Sequence, residues 1–237
     1  IVIFFIPYTA SGFAACGKLF NSLLGFNYHT AMIVSAVVIV LYCTMGGFLA
    51  ASTSDLVQSI IMTFALAVVV IFGIVQAGGM GVVLDNAKAL PGYLDMFHTH
   101  IAETNTSGDY GFFKIVSTLA WGLGYFGMPH ILVRFMSIEK PSMIKKSSIV
   151  AIVWVIISLF SAVLIAYLGR MVMGAELLTQ GNQKLVFIAM ARRFFPAGIC
   201  GLLLAAIIAA SISTADSQLL VASSSFTADL YKPFFRK

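Results

Sequence analysis

Charge is what this sequence lacks most. Only 10% of its 237 residues are Asp, Glu, Lys or Arg, where soluble chains carry about 25%. With 60% hydrophobic residues and a mean hydropathy of +0.99, it is not an ordinary soluble domain. Cysteine is scarce too: Cys16, Cys43 and Cys200 are scattered in or beside apolar runs. Their spacing fits neither a disulfide framework nor a metal site, so small buried thiols are expected. The apolar runs hold no nucleophile beside a base and no His/Asp/Glu cluster, which argues against a membrane enzyme. Rings of repeated charge or carbonyl motifs, which a channel filter needs, are missing as well. The sequence begins at Ile1 inside an apolar run, without initiator Met or signal-peptide n-region. The expectation is an internal piece of a longer membrane protein, carrying part of any site. The net charge of +5, with basic residues mostly between apolar segments, bears on membrane orientation rather than nucleic acid.

What is present is apolar length. About six segments reach the ~20 residues that a bilayer core requires, so the expected fold class is an all-α, multi-pass membrane protein. They cover roughly 1–20, 31–49, 56–78, 112–136, 148–168 and 196–230. The first contains Pro7, which removes one helical hydrogen bond, and Tyr8 follows it. That tyrosine either meets a solute or packs and donates to a freed carbonyl. The second ends in Gly46-Gly47, a turn signal. Asp55 stands where the third begins, either as a helix cap with favourable charge–dipole interaction or on an ion pathway. Residues 80–109 form the long polar stretch; His98 and His100 within it are read as solvated, not as metal ligands.

The fourth segment carries Gly122, Gly124, Gly127 and Pro129 within eight residues. Each glycine weakens a helix, and Pro129 cannot donate to the Tyr125 carbonyl, so unwinding is expected there. At membrane depth, non-helical backbone survives only where it is buried or lines a cavity. Broken helices of this kind build binding sites in secondary transporters. Trp121 and Tyr125, four apart, share a face at the edge of the break, either as part of a site or as ordinary helix packing. His130 is read as a partner for a freed carbonyl rather than a catalyst.

Orientation follows the basic loops. The 138–147 loop and the tail with Lys232, Arg236 and Lys237 fall on one side, which the positive-inside rule makes cytoplasmic. The acidic loop 85–109 then lies outside. The segment 169–193, with Arg170, Glu176, Lys184, Arg192 and Arg193, is basic and runs against that assignment.

The stretch 201–225, GLLLAAIIAASISTADSQLLVASSS, organises the rest. On a helix, Ala206, Ala210, Ser213, Ser217, Leu220 and Ser224 share one face, with Thr214 at its flank. Hydroxyls collected in hydrocarbon either form a small-residue packing seam, bonding back to their own carbonyls, or serve an ion. The Ala210 carbonyl with the Ser213 and Thr214 hydroxyls would give sodium three oxygens within one and a half turns. Asp216 lies about 200° round from Thr214 and is expected to bond a neighbouring helix first, with a sodium contact second.

These residues resemble a known family. WGLGYFGMPHILVRFMS (121–137), AAIIAASISTADSQLLVASS (205–224), GGFLAASTSDLVQ (46–58), YTASGF (8–13) and TADLYKPFFRK (227–237) are similar to the sodium:solute symporter family, most of all to its proline-transporting branch. The resemblance implies a LeuT-type fold of inverted repeats, of which residues 1–237 would be core helices three to eight as a single membrane domain. It implies sodium as coupling ion, held by Ala210, Ser213 and Thr214 with partners on a first core helix outside this sequence. It implies a solute site with Trp121, Tyr125, Pro129 and Tyr8, an ion-pathway role for Asp55, and L-proline as solute. The setting implied is the plasma membrane of a bacterium, within a lipid bilayer and without nucleic acid. One departure stands out: Met128 occupies a position where the proline branch is expected to have Gln. Pantothenate or a carboxylate is the alternative solute, and a symporter-like part of a signalling sensor the alternative class.

Overall fold

A computed structural model describes residues 1–174 and 183–235, apart from the side chains of Phe126 and Gln183. Glu176, Arg236 and Lys237, used above in the charge argument, lie outside the described residues. The chain divides into two compact units, one of Ile1–Leu66 with Ala191–Lys237 and the other of Ala67–Met190. Helix dominates both, as the apolar composition requires.

The first unit starts with α1 (Val2–Leu24), which runs unbroken through Pro7. Gly25 stops it in the left-handed conformation (φ 72°), its N–H donating to the Asn21 carbonyl. The side chain of Asn27 then accepts from the N–H groups of His29 and Thr30 (3.0 and 3.4 Å) and so caps the next helix. That helix, α2 (Tyr28–Gln76), is 49 residues long, more than twice what one crossing needs. It is interrupted at Gly47 (φ 54°, ψ −142°), a conformation that a side chain would strain. The sequence signal for a turn at Gly46-Gly47 therefore marks a real break, but helix resumes on both sides with no connecting loop. In consequence Asp55 lies well inside a helix rather than at its start, and the capping role considered above is corrected.

The second unit contains α3 (Met80–Ala89), with Val83 and Ala87 buried four residues apart. A short antiparallel hairpin follows, β1 (His98–Ile101) paired with β2 (Thr106–Asp109), His98 opposite Asp109. Asn105 takes the left-handed conformation (φ 52°) in its turn, as Asn tolerates. The polar stretch 80–109 is thus ordered structure, and the all-α class carries one small β element. His98 Nδ1 lies 2.8 Å from Asp95 Oδ2. The Phe97 N–H, and after it His98, hold the Asp95 carboxyl below the usual carboxylate range. His100 Nδ1 donates to the Pro91 carbonyl (3.0 Å), and Arg170 Nη2 donates to His100 Nε2 (3.2 Å). Both rings are therefore engaged within the protein.

Next come α4 (Phe112–Gly124), a 3₁₀ turn (Tyr125–Gly127), α5 (Pro129–Met136) and α6 (Ile144–Met173). The hydroxyl of Tyr167 near the end of α6 donates toward the Val83 carbonyl and Asn86 Oδ1 (2.9 and 3.0 Å), fastening α3 to it. The chain continues with α7 (Val186–Phe194), which straddles the unit boundary, and α8 (Ala197–Ser225). A π-helical turn (Phe226–Tyr231) and α9 (Lys232–Phe235) complete the first unit. Arg192 of α7 donates to the Ser22 and Leu23 carbonyls (3.3 and 3.1 Å), placing a cation at the C-terminal end of α1. Among the described residues, four helices are long and apolar enough to cross a membrane: Val2–Leu24, Tyr28–Gln76, Pro141–Met173 and Ala197–Phe235. The expected six segments map onto these four because the second and third are both contained in α2, while the fourth is divided between α4 and α5.

The seam between α1 and α8 is close. A Cβ placed on Gly12 would stand 3.0 Å from the Ala215 Cβ, so a side chain there would need the helices to part by a few tenths of an ångström. Ala215 is fully buried and joins Ile39 and Cys43 of α2 in one apolar cluster. Gly12→Leu is therefore expected to push α8 off α1 and to lower stability by roughly 1–3 kcal/mol, the usual cost of overpacking. Thermal unfolding of the detergent-solubilised protein measures it; an unchanged midpoint would show that the seam is soft.

Candidate functional site

In α8 the structure brings the three proposed sodium oxygens together. Ser213 Oγ donates to the Ala210 carbonyl at 3.0 Å, and Thr214 Oγ1 donates to the same oxygen at 3.1 Å. Thr214 is exposed and the other two half-buried. A hydroxyl bonding back three or four residues is ordinary for Ser and Thr within a helix, and Ser223 and Ser224 do the same further along. The difference lies in convergence, because here two hydroxyls meet on one carbonyl. Hard, oxygen-only donors in one turn suit a hard cation.

Just beyond this turn the helix is enclosed. Ala215, Asp216, Ser217 and Gln218 are all buried, and consecutive residues cover every side of a helix. Asp216 is 0% exposed. The Tyr42 hydroxyl of α2 donates to Asp216 Oδ2 at 2.5 Å, the inter-helix bond expected for this aspartate. Ser217 Oγ lies 3.1 Å from Asp216 Oδ1, 3.4 Å from Asp55 Oδ2 and 3.0 Å from the Ser213 carbonyl. Asp55 thus reaches α8 through Ser217, four residues on from Ser213. Tyr42 is the residue that sequence reasoning missed. It stands 174 positions from its partner, in an apolar run where tyrosine carries no motif.

The broken segment has the expected form. Met128 is extended (φ −72°, ψ 112°), as a residue preceding proline tends to be. Pro129 is the first residue of α5, where its missing N–H costs nothing. The rings of Trp121 and Tyr125 lie side by side, inclined by 50° with centroids 6.4 Å apart. They remain 70% and 52% exposed, and neither α4 nor α5 buries any residue. This aromatic pair and the break are therefore presented outward from the second unit's own packing. Tyr8 belongs to the first unit, 37% exposed, with its ring edge-on to Phe5 at 5.8 Å.

Comparison with known proteins gives the frame for this geometry. Sodium/proline symporters of Staphylococcus aureus, including those of strains Newman and NCTC 8325 / PS 47, are 40% identical over 232 residues. These matches cover 98% of this chain and 43% of each relative, so the chain spans less than half the length of the curated relatives it matches. No solved structure matches. A statistical model of the sodium:solute symporter family matches residues 1–237, and the chain belongs to that family.

Proposed function

We propose that this chain is the interior of a sodium-coupled symporter for a small amino acid, L-proline first, in a bacterial plasma membrane. In this reading residues 1–237 are core helices three to eight of a LeuT-type inverted-repeat fold, six crossings in all, with the break at 125–128 inside one of them. Ala210, Ser213 and Thr214 supply part of the sodium site. Trp121, Tyr125, Pro129 and Tyr8 contribute to the solute site, and Asp55 lies on the ion's path. No bond is made or broken. Sodium and solute bind near the midplane and the repeats rock around them. The observation that carries the reading is the match of the sodium:solute symporter family model to residues 1–237, and the Ala210 carbonyl with the Ser213 and Thr214 hydroxyls lies within one turn of α8, as a partial cation site needs. Similarity to proline symporters supports the choice of solute.

The experiment is uptake of radiolabelled L-proline by vesicles holding the full-length protein, with and without an inward sodium gradient. Accumulation that requires the gradient is the expected result. Sodium-driven uptake of pantothenate or a carboxylate instead would keep the mechanism and move the solute, with Met128 as the residue to exchange for Gln. No sodium dependence for any solute, in folded protein, would overturn the symport reading and bring forward a symporter-like sensor.

A further inference from the structure

A carboxyl group buried at bilayer depth is expensive, and the price is sustained only where it has a task. Asp216 is such a group. It has no exposure at all, it lies two residues after Thr214, and its side chain leaves α8 to meet Tyr42. Cys43, next in sequence to Tyr42, is buried in the cluster with Ile39 and Ala215, so this part of α2 lies directly against α8. The polar groups facing Asp216 are the Tyr42 hydroxyl and Ser217, with Asp55 beyond Ser217.

These contacts fix one turn of α8 in two ways. Gly12 and Ala215 set how near α8 comes to α1, but an apolar contact between small residues permits rotation and sliding. The Tyr42–Asp216 bond does not, because a hydrogen bond at 2.5 Å weakens steeply with angle and distance. Ala210, Ser213 and Thr214 sit on the adjoining turn of the same rigid helix. Turning α8 by the ~100° of one residue would carry all three oxygens to another side. We infer that Tyr42 and Asp216 are positioning residues: their hydrogen bond sets the rotation of α8 and so aims the Ala210, Ser213 and Thr214 oxygens at the coupling cation. The inference rests on the sodium reading above and adds to it a residue pair that touches no cation.

The test is a sodium titration of the thermal unfolding temperature of the purified full-length protein in detergent, which needs no knowledge of the solute. Ligand that binds the folded state raises this temperature in proportion to the logarithm of one plus the ratio of sodium concentration to Kd, so a fit against sodium concentration gives Kd, the half-occupancy concentration or sodium midpoint. Tyr42→Phe is expected to raise the sodium midpoint about tenfold, equivalent to ~1.4 kcal/mol. Asp216→Ala should do the same. Asp216→Asn keeps an oxygen that accepts from Tyr42, and its midpoint should stay within about threefold of the parent, less than ~0.7 kcal/mol. A purely structural role would lower the sodium-free unfolding temperature in Tyr42→Phe and leave the sodium midpoint where it was, which would overturn the inference. Should Tyr42→Phe not fold, Asp216→Asn against Asp216→Ala decides alone, and equal midpoints overturn it. A parent that sodium does not stabilise overturns the sodium reading and this inference together. A parent whose midpoint rises in Ser213→Ala but not in Tyr42→Phe overturns this inference only.

Discussion

Ser213→Ala and Thr214→Ala should each raise the sodium concentration for half-maximal uptake by about ten- to a hundredfold, the worth of one hydrogen-bond-strength contact to a charge. The double variant should abolish sodium-driven uptake at ordinary concentrations. This effect is separable from folding. Both hydroxyls bond only to their own helix in the described contacts, and neither residue is fully buried, so truncation leaves no orphaned buried group. Ser224→Ala is the matched control, because Ser224 also bonds back three residues, to Val221. It should move the sodium requirement by less than about twofold, surface changes being worth at most ~0.5 kcal/mol. By reciprocity of coupled binding, the site variants should also weaken solute affinity at low sodium and recover at high sodium. Equal, small effects of all three substitutions would return α8 to the packing reading.

The second large effect is expected at the break. Trp121→Ala should raise the half-saturating solute concentration by about ten- to a hundredfold, as removal of a large aromatic anchor commonly costs 2 kcal/mol or more. Trp121→Phe, which keeps a ring, should lose less. Stability should hardly change, since 70% of the Trp121 surface is uncovered by this chain. Pro129→Ala tests the backbone itself. It restores an N–H that can donate to the Tyr125 carbonyl, and it frees Met128 from the extended conformation. The segment 112–136 could then close into continuous helix, and solute uptake should fall while sodium-dependent stabilisation persists. Uptake kinetics at saturating sodium would measure both variants. Unaltered solute dependence in Trp121→Ala and Pro129→Ala would remove the break from the solute site.

The break was legible because its cause is local: proline and glycine act on their own and the preceding residue wherever they stand. The same holds for Gly47, though the sequence could not tell an interruption from a loop, since apolar residues flank it on both sides. Asp55 was misjudged for that reason; once helix resumes at once after Gly47, a residue eight positions on lies in the interior. The hairpin at 98–109 was missed because four-residue strands of polar composition leave little alternation to read, with Asn105 the single conformational clue. That Asp216 would seek a neighbouring helix followed from angle and cost alone. Its partner did not, because the pairing of Tyr42 with Asp216 spans 174 positions and exists only once α2 and α8 have packed. The same limit applies to the residues proposed for the solute. Tyr8 belongs to one compact unit and Trp121, Tyr125 and Pro129 to the other.

The closeness of α1 and α8 at Gly12 has a practical side. In lipid, apolar side chains gain nothing by leaving one hydrocarbon for another, so helices stay together through contact distance and shape. A seam made by backbone approach depends little on which hydrocarbon surrounds it. Exchange of bilayer for detergent replaces the solvent but not the fit of Gly12 against Ala215. The approach of α8 to α1 next to the hydroxyl cluster is thereby set by contact shape rather than by the surrounding hydrocarbon.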